Sequence, residues 1–234
     1  MTPTVAVVLA GGTGQRMGST LPKQLLEVGG RPVLAYSIET FDAHPGINSI
    51  LVVMAAGHRA AAERVAAPYG SVRAVIEGGA TRTASTLAAL AALAGEPDDA
   101  RVLFHDAARP FVDPGIVDRC LAALETGAAV AVAQPVSDTV VAVGPGPVVA
   151  AMPPRESLRR FQTPQGFRLG TIRRAYELAG ADAGFTATDD CGVVHRYLPE
   201  VPIQVVEGGE HNLKVTHPLD LVVAEHLARE RAQS

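Results

Sequence analysis

A chain of 234 residues with 47% hydrophobic side chains can bury one sizeable core, and the length suits a single α/β domain spanning 1–234. Lys and Arg number 20 against 24 Asp and Glu, a formal net charge of −4; with no Trp and 4% aromatics, this excludes the basic, stacking surface of a nucleic-acid binder. Cys120 and Cys191 lack CxxC spacing, which excludes a disulfide framework or cysteine zinc site, and the apolar run Val5 to Ala10 is too short for a signal h-region or membrane span. The expectation is a cytoplasmic protein with neither membrane nor nucleic acid as partner.

Along the chain, short Val/Leu-rich runs alternate with longer Ala/Leu-rich stretches. Val5–Leu9, Ile50–Met54, Val72–Ile76 and Val102–His105 are continuous in polarity, as buried parallel strands are. Between them Val33–Phe41, His58–Ala67, Thr81–Leu93 and Pro114–Glu125 read as helices, with Pro32 and Pro114 suited to first turns and Thr81 to a cap. The alternation predicts an α/β fold with a doubly wound, mostly parallel sheet, continued by a strand at Ala128–Ala133. The pattern then changes. Thr139–Val143 and Val148–Met152 flank Gly144-Pro145-Gly146-Pro147 and read as a projecting β-hairpin arm over about 137–157. An arm without its own core calls for a surface to pack on, and a second copy of the chain is the candidate. Beyond it come Phe161–Phe167, a helix near Thr171–Leu178, Thr188–Arg196 with an acidic start at Asp189 and Asp190, and a strand at Ile203–Val206. A short strand ending at Lys214 and a closing helix from Pro218 complete the reading.

The most informative stretch is Ala10-Gly11-Gly12-Thr13-Gly14-Gln15-Arg16-Met17-Gly18, followed by Pro22-Lys23-Gln24. It leaves the first strand, where an open α/β sheet places its ligand crevice. Its glycines let the backbone approach a polyphosphate and aim amide donors at it. A dinucleotide fingerprint fails here, because Met17 stands at a glycine position and no acidic residue closes the second strand. A P-loop fails too, since Ser19 and Thr20 follow Gly18 where Lys and Ser/Thr are needed. What remains is a phosphate cradle with two cations, Arg16 and Lys23, suited to stabilising charge that builds up on a phosphorus under attack. No Ser-His-Asp set and no paired catalytic carboxylates are visible, and none of the seven histidines is assigned to chemistry.

This loop resembles the signature of the sugar-phosphate nucleotidyltransferases. Gly78-Gly79-Ala80-Thr81-Arg82-Thr83-Ala84-Ser85, His105-Asp106-Ala107-Ala108-Arg109-Pro110-Phe111 and Asn212-Leu213-Lys214-Val215-Thr216 narrow the resemblance to the 2-C-methyl-D-erythritol 4-phosphate cytidylyltransferase family, over nearly the whole chain. The resemblance implies transfer of CMP from CTP to a sugar-alcohol phosphate, with release of pyrophosphate. It implies a nucleotide site at Ala10, Gly11, Gly12, Thr13, Gly14, Gly79, Ser85, Asp106, Ala107 and Lys214, with Asp106 holding Mg²⁺ against the phosphates. Arg16, Lys23, Arg155 and Lys214 are the implied catalytic residues, and Thr139, Arg155, Thr163 and Thr188 the implied acceptor contacts. Thr139 and Arg155 are implied to reach the neighbouring subunit's site in a homodimer built through the arm. Ala80 departs from the family pattern, in which an acidic residue often follows the glycine pair. His105 and Arg109 read as structural. A ribitol-5-phosphate cytidylyltransferase, and a nucleotide sensor without turnover, are the alternative readings.

Overall fold

In the computed structural model, residues 2–12, 21–185 and 187–233 are described. Strands β1 (Thr4–Ala10), the short pair β2 (Glu27–Val28) and β3 (Arg31–Pro32), β4 (Ser49–Met54), β5 (Val72–Glu77), β6 (Arg101–Asp106) and β7 (Ala129–Pro135) precede the arm strands β8 (Ala142–Val143) and β9 (Val149–Ala151). β10 (Arg159–Arg168) and β11 (Ile203–Glu207) follow. The helices are α1 (Val33–Asp42), α2 (Arg59–Ala66), α3 (Arg82–Ala92), α4 (Pro114–Thr126), α5 (Leu169–Gly180), α6 (Asp190–Tyr197) and α7 (Pro218–Gln233). Caps explain several of these boundaries. Thr81 accepts from the Ala84 amide, Asp113 from that of Ile116 and Asp189 from that of Gly192, while Pro114 opens α4.

The central sheet has seven strands in the order β11-β7-β10-β6-β1-β4-β5. All pairings are parallel except those of β10, which runs antiparallel to both β6 and β7. β1 is buried along its whole length because both sheet faces are covered. Ala6 and Val8 face a core shared with Leu34, Ile38 and Phe41 of α1 and Ile116 and Leu124 of α4. Val5 and Val7 face one shared with Leu90 of α3, Ile172 and Tyr176 of α5, and Val194 of α6. A third cluster seats α7 through Ala224 and Ala228 against Val28, Tyr36, Phe111 and Val215.

Several expected boundaries move. Thr139, Val140 and Val141 are not in a strand, so the arm's ladder is only β8 with β9. Lys214 does not end a strand; it lies in the loop between β11 and α7. Thr188 precedes the helix that Asp189 caps. Lys23 opens a single 3-10 turn, Lys23–Leu25, rather than an open loop.

Candidate active site

Three loops meet above the carboxyl ends of β1, β5 and β6, the edge where parallel sheets place ligands. Their backbones approach closely at Ser85, which is buried and donates its hydroxyl to the Thr81 carbonyl at 3.0 Å. A methyl group added at Gly11 would lie 2.8 Å from Ser85 Oγ, and one at Gly78 would lie 2.6 Å from it. At Gly79 an added methyl would collide with Ala84. Glycine is therefore required here for close packing of loop against helix, beyond any freedom of the backbone.

A cavity of about 260 Å³ opens at this junction, lined by Gly11, Gly12, Lys23, Arg82, Ser85, Asp106 and Lys214 among others. Asp106 ends β6 and is the cavity's carboxylate. Lys214 Nζ donates to its Oδ2 at 2.7 Å, and Arg82 Nε stands 3.6 Å from its Oδ1. Burial alone would raise this carboxyl's pKa, but the Lys214 ammonium and the Arg82 guanidinium hold it well below the usual carboxylate range. Lys23 Nζ donates to the Val215 carbonyl at 2.9 Å, which brings the two lysines to the same loop.

That loop is fastened from below. The Val215 amide donates to the Ala108 carbonyl, the Arg109 guanidinium to the Asn212 carbonyl at 2.8 Å, and Asn212 Nδ2 to the Thr163 carbonyl at 2.8 Å. Beneath Asp106, the register of β10 against β7 shifts between Phe161 and Gln165, and Thr163 falls in the irregular stretch. Its hydroxyl accepts the Asp106 backbone N–H at 3.0 Å and meets His105 Nδ1 at 3.0 Å. His105 Nε2 lies 3.0 Å from the Arg109 carbonyl, which can only accept, so the proton of the neutral ring belongs on Nε2 and Nδ1 accepts from Thr163. Burial pulls the imidazole down to about 4, consistent with a neutral structural role.

The expected residues thus separate. Gly11, Gly12, Lys23, Ser85, Asp106 and Lys214 line one cavity, with Ala10 and Ala107 buried at the ends of β1 and β6 and Gly79 at the entry to α3. Thr163 is buried, and its hydroxyl is occupied by Asp106 and His105. Thr139, Arg155 and Thr188 are exposed and do not line this cavity; Arg155 donates to the Ser137 carbonyl at 2.9 Å across the base of the arm. Thr13, Gly14 and Arg16 lie outside the described residues.

Two charged residues given no site role from the sequence, Arg82 and Asp190, pair beside the cavity. Arg82 Nη2 approaches Asp190 Oδ2 to 2.7 Å, so one guanidinium stands between two carboxylates. The signal was available: a cation in the first turn of a helix opposes the macrodipole and calls for an anionic partner. Among the described residues no group of three or more His, Cys, Asp or Glu side chains is placed to hold a metal. A lone Asp106 carboxylate fits a hard, oxygen-seeking cation such as Mg²⁺, whose remaining ligands would be water and phosphate oxygens.

A doubly wound sheet with a glycine loop, two lysines and a carboxylate at the carboxyl end of its central strands defines a nucleotidyltransferase-type enzyme. The model of the 2-C-methyl-D-erythritol 4-phosphate cytidylyltransferase family matches residues 4–230, and the chain belongs to that family. The cytidylyltransferase of that name from Thermobifida fusca is 53% identical over 230 residues, covering 96% of this chain and 92% of that one. A ribulose 5-phosphate reductase/CDP-ribitol pyrophosphorylase from Haemophilus influenzae is 36% identical over 231 residues, covering 97% of this chain but 48% of that protein. Among solved structures, the Thermus thermophilus 2-C-methyl-D-erythritol 4-phosphate cytidylyltransferase is 36% identical with a TM-score of 0.77, covering 98% of this chain and 100% of that one. The Anaerococcus prevotii 4-diphosphocytidyl-2C-methyl-D-erythritol synthase superposes with a TM-score of 0.87 at 28% identity, covering 97% and 99%.

Proposed function

We infer that this chain transfers CMP from CTP to 2-C-methyl-D-erythritol 4-phosphate, using Mg²⁺ and acting as a homodimer. The observation that carries the reaction is the convergence of Lys23, Lys214, Arg82 and Asp106 on one glycine-lined cavity. An oxygen of the acceptor phosphate attacks the α-phosphorus of CTP, a new P–O–P linkage forms, and the α–β bridging bond breaks to release pyrophosphate. The nucleophile is already ionised near neutral pH, so the chain supplies position and positive charge rather than a strong base. Mg²⁺, held by Asp106, would neutralise the triphosphate and the departing pyrophosphate. Lys23 and Arg16 are assigned to the transition-state charge.

Lys214 also lines a second cavity of about 420 Å³, with Arg109, Arg160, Phe161 and Gln162. Its position between the two cavities supports its assignment to both nucleotide and acceptor. Thr139, Arg155 and Thr188 remain proposed acceptor contacts, the first two delivered across the dimer by the arm. Exposed Val143, Val148, Val149 and Met152 on the arm support that assembly. No helix among the described residues is long and apolar enough to cross a membrane; a cytoplasmic location is part of the same proposal.

The test is pyrophosphate release from CTP and Mg²⁺, comparing 2-C-methyl-D-erythritol 4-phosphate with ribitol 5-phosphate in wild type and Lys23→Ala. Strong preference for the methylerythritol substrate, lost in the variant, is expected. Preference for ribitol phosphate would move the acceptor while keeping the reaction, and no release with either would leave only nucleotide binding.

A further inference from the structure

Asp190 is wholly buried, and its two carboxylate oxygens are met differently: Oδ1 by hydroxyl donors, Oδ2 by an ion pair alone. Tyr176 donates its hydroxyl to Oδ1 at 2.6 Å and Thr86 donates to the same oxygen at 3.0 Å. The Asp190 amide donates to Gln165 Oε1 at 3.0 Å, which ties the start of α6 to β10. Its other oxygen, Oδ2, faces Arg82 at 2.7 Å, while the same guanidinium stops 3.6 Å short of Asp106. The two carboxylates therefore compete for one cation, and the buried one holds it more closely. Burial opposes the charge on Arg82, but Asp190 and then Asp106 hold its pKa above the ordinary value, so it remains a cation.

We propose that Asp190 is a positioning residue for the transfer site: it anchors Arg82 so that the guanidinium orients Asp106 without closing on it, leaving that carboxylate open to a divalent cation. This rests on the reading that Asp106 serves the metal and the phosphates. The physical reason is competition. Without the charge of Asp190, Arg82 keeps a single carboxylate partner, moves onto Asp106, and must be displaced before a cation can bind there. Arg82 is one contact removed from the proposed metal ligand, residues so placed change metal affinity by about 10–100-fold when altered, and Asp190 acts through it.

The experiment measures Mn²⁺ binding to the CTP-loaded protein by the loss of the free-ion electron paramagnetic resonance signal, alongside thermal unfolding and the Mg²⁺ dependence of turnover. Asp106→Asn should weaken Mn²⁺ binding; if it does not, the assignment of the metal to Asp106 fails and takes the inference with it. Given that loss, Asp190→Asn should weaken Mn²⁺ binding about tenfold, and Asp190→Asn with Arg82→Gln should recover it, because the released cation is gone. Tyr176→Phe removes a donor to Asp190 but leaves the Arg82 pair; it should lower Tm and keep the wild-type metal dependence. Asp190→Asn binding Mn²⁺ like wild type, no recovery in the double variant, or Tyr176→Phe shifting metal affinity as far as Asp190→Asn, would each overturn the proposal.

Discussion

Lys214 Nζ and Asp106 Oδ2 lie 2.7 Å apart, joined across 108 residues of sequence in the lining of the glycine-lined cavity. The lysine is about half exposed and the carboxylate largely buried, so the pair is asymmetric: Asp106 depends on its cation more than Lys214 depends on its anion. Lys214→Met should leave the fold intact by circular dichroism, since the loop is fastened through Asn212 and Val215 rather than through this side chain. Turnover should fall about 10²–10³-fold, the usual cost of losing one preorganised electrostatic partner. Pyrophosphate release within a few-fold of wild type would remove Lys214 from the chemistry.

Thr163 makes a different prediction, because its hydroxyl is spoken for from within. It accepts the Asp106 amide and donates to His105. Thr163→Val leaves a buried N–H and a ring nitrogen without partners, and unfolding in urea should show a loss of about 1–3 kcal/mol. Thr163→Ser keeps the hydroxyl and should retain most of the stability and the activity. Equal stability of the valine and serine variants would show that this hydroxyl does not hold the strand end.

Much of the frame was legible in the sequence, for reasons that also mark the limits. Val5–Leu9 and Ile50–Met54 show as strands because helices on both faces force continuous apolarity, and Thr81 shows as a cap because its side chain serves the next turn. The direction of β10 was not legible: a buried strand has the same composition whichever way it runs. Lys214 was expected to end a short strand, but its neighbour Val215 is held by the Ala108 carbonyl outside any ladder. That Gly11, Gly12, Ser85, Asp106 and Lys214 belong together was legible because each falls in a short motif, and the structure brings them to one cavity. Arg82 and Asp190 were not, since a buried pair formed between distant segments leaves no local pattern beyond a cation at the wrong end of a helix.

Ser85 is wedged between two glycines, so Gly78→Ala should be felt at once. The added methyl would lie 2.6 Å from Ser85 Oγ and 3.0 Å from Val53 Cγ1. We expect about 1–3 kcal/mol of lost stability from overpacking and weaker CTP binding by calorimetry. Adding Ser85→Ala removes the nearer obstacle and should recover part of the stability; CTP affinity should stay low if Ser85 contacts the nucleotide. Recovery of both would make Ser85 a spacer rather than a ligand contact.

Cys120 and Cys191 are both buried, and burial pushes the Cys120 thiol up to about 12 and raises that of Cys191 as well. Because the thiolate is the reactive form, raising the pH from 7 to 9 should add almost no reactivity while the protein stays folded. A disulfide-exchange reagent should titrate neither thiol in the native protein and both in guanidinium chloride. A thiol that reacts natively with a midpoint near its ordinary pKa would mean that the helices carrying these residues open readily.

The arm offers the last test. β8 and β9 form a ladder of two and three residues, too small to hold itself in water, and Val143, Val148, Val149 and Met152 are all more than half exposed. Arg155 donates to the Ser137 carbonyl, which ties the two ends of the arm together. If a second copy covers these side chains, Val143→Lys with Val149→Lys should convert a dimer to a monomer in size-exclusion chromatography with light scattering. Because the arm lies outside the main clusters of buried residues, the Tm of the monomer should drop only by what the interface contributed. Turnover should fall further than stability does, since Thr139 and Arg155 would no longer reach a neighbouring site. A wild-type protein that is monomeric at micromolar concentration yet fully active would place the acceptor contacts within one chain and leave the arm's apolar face for another partner.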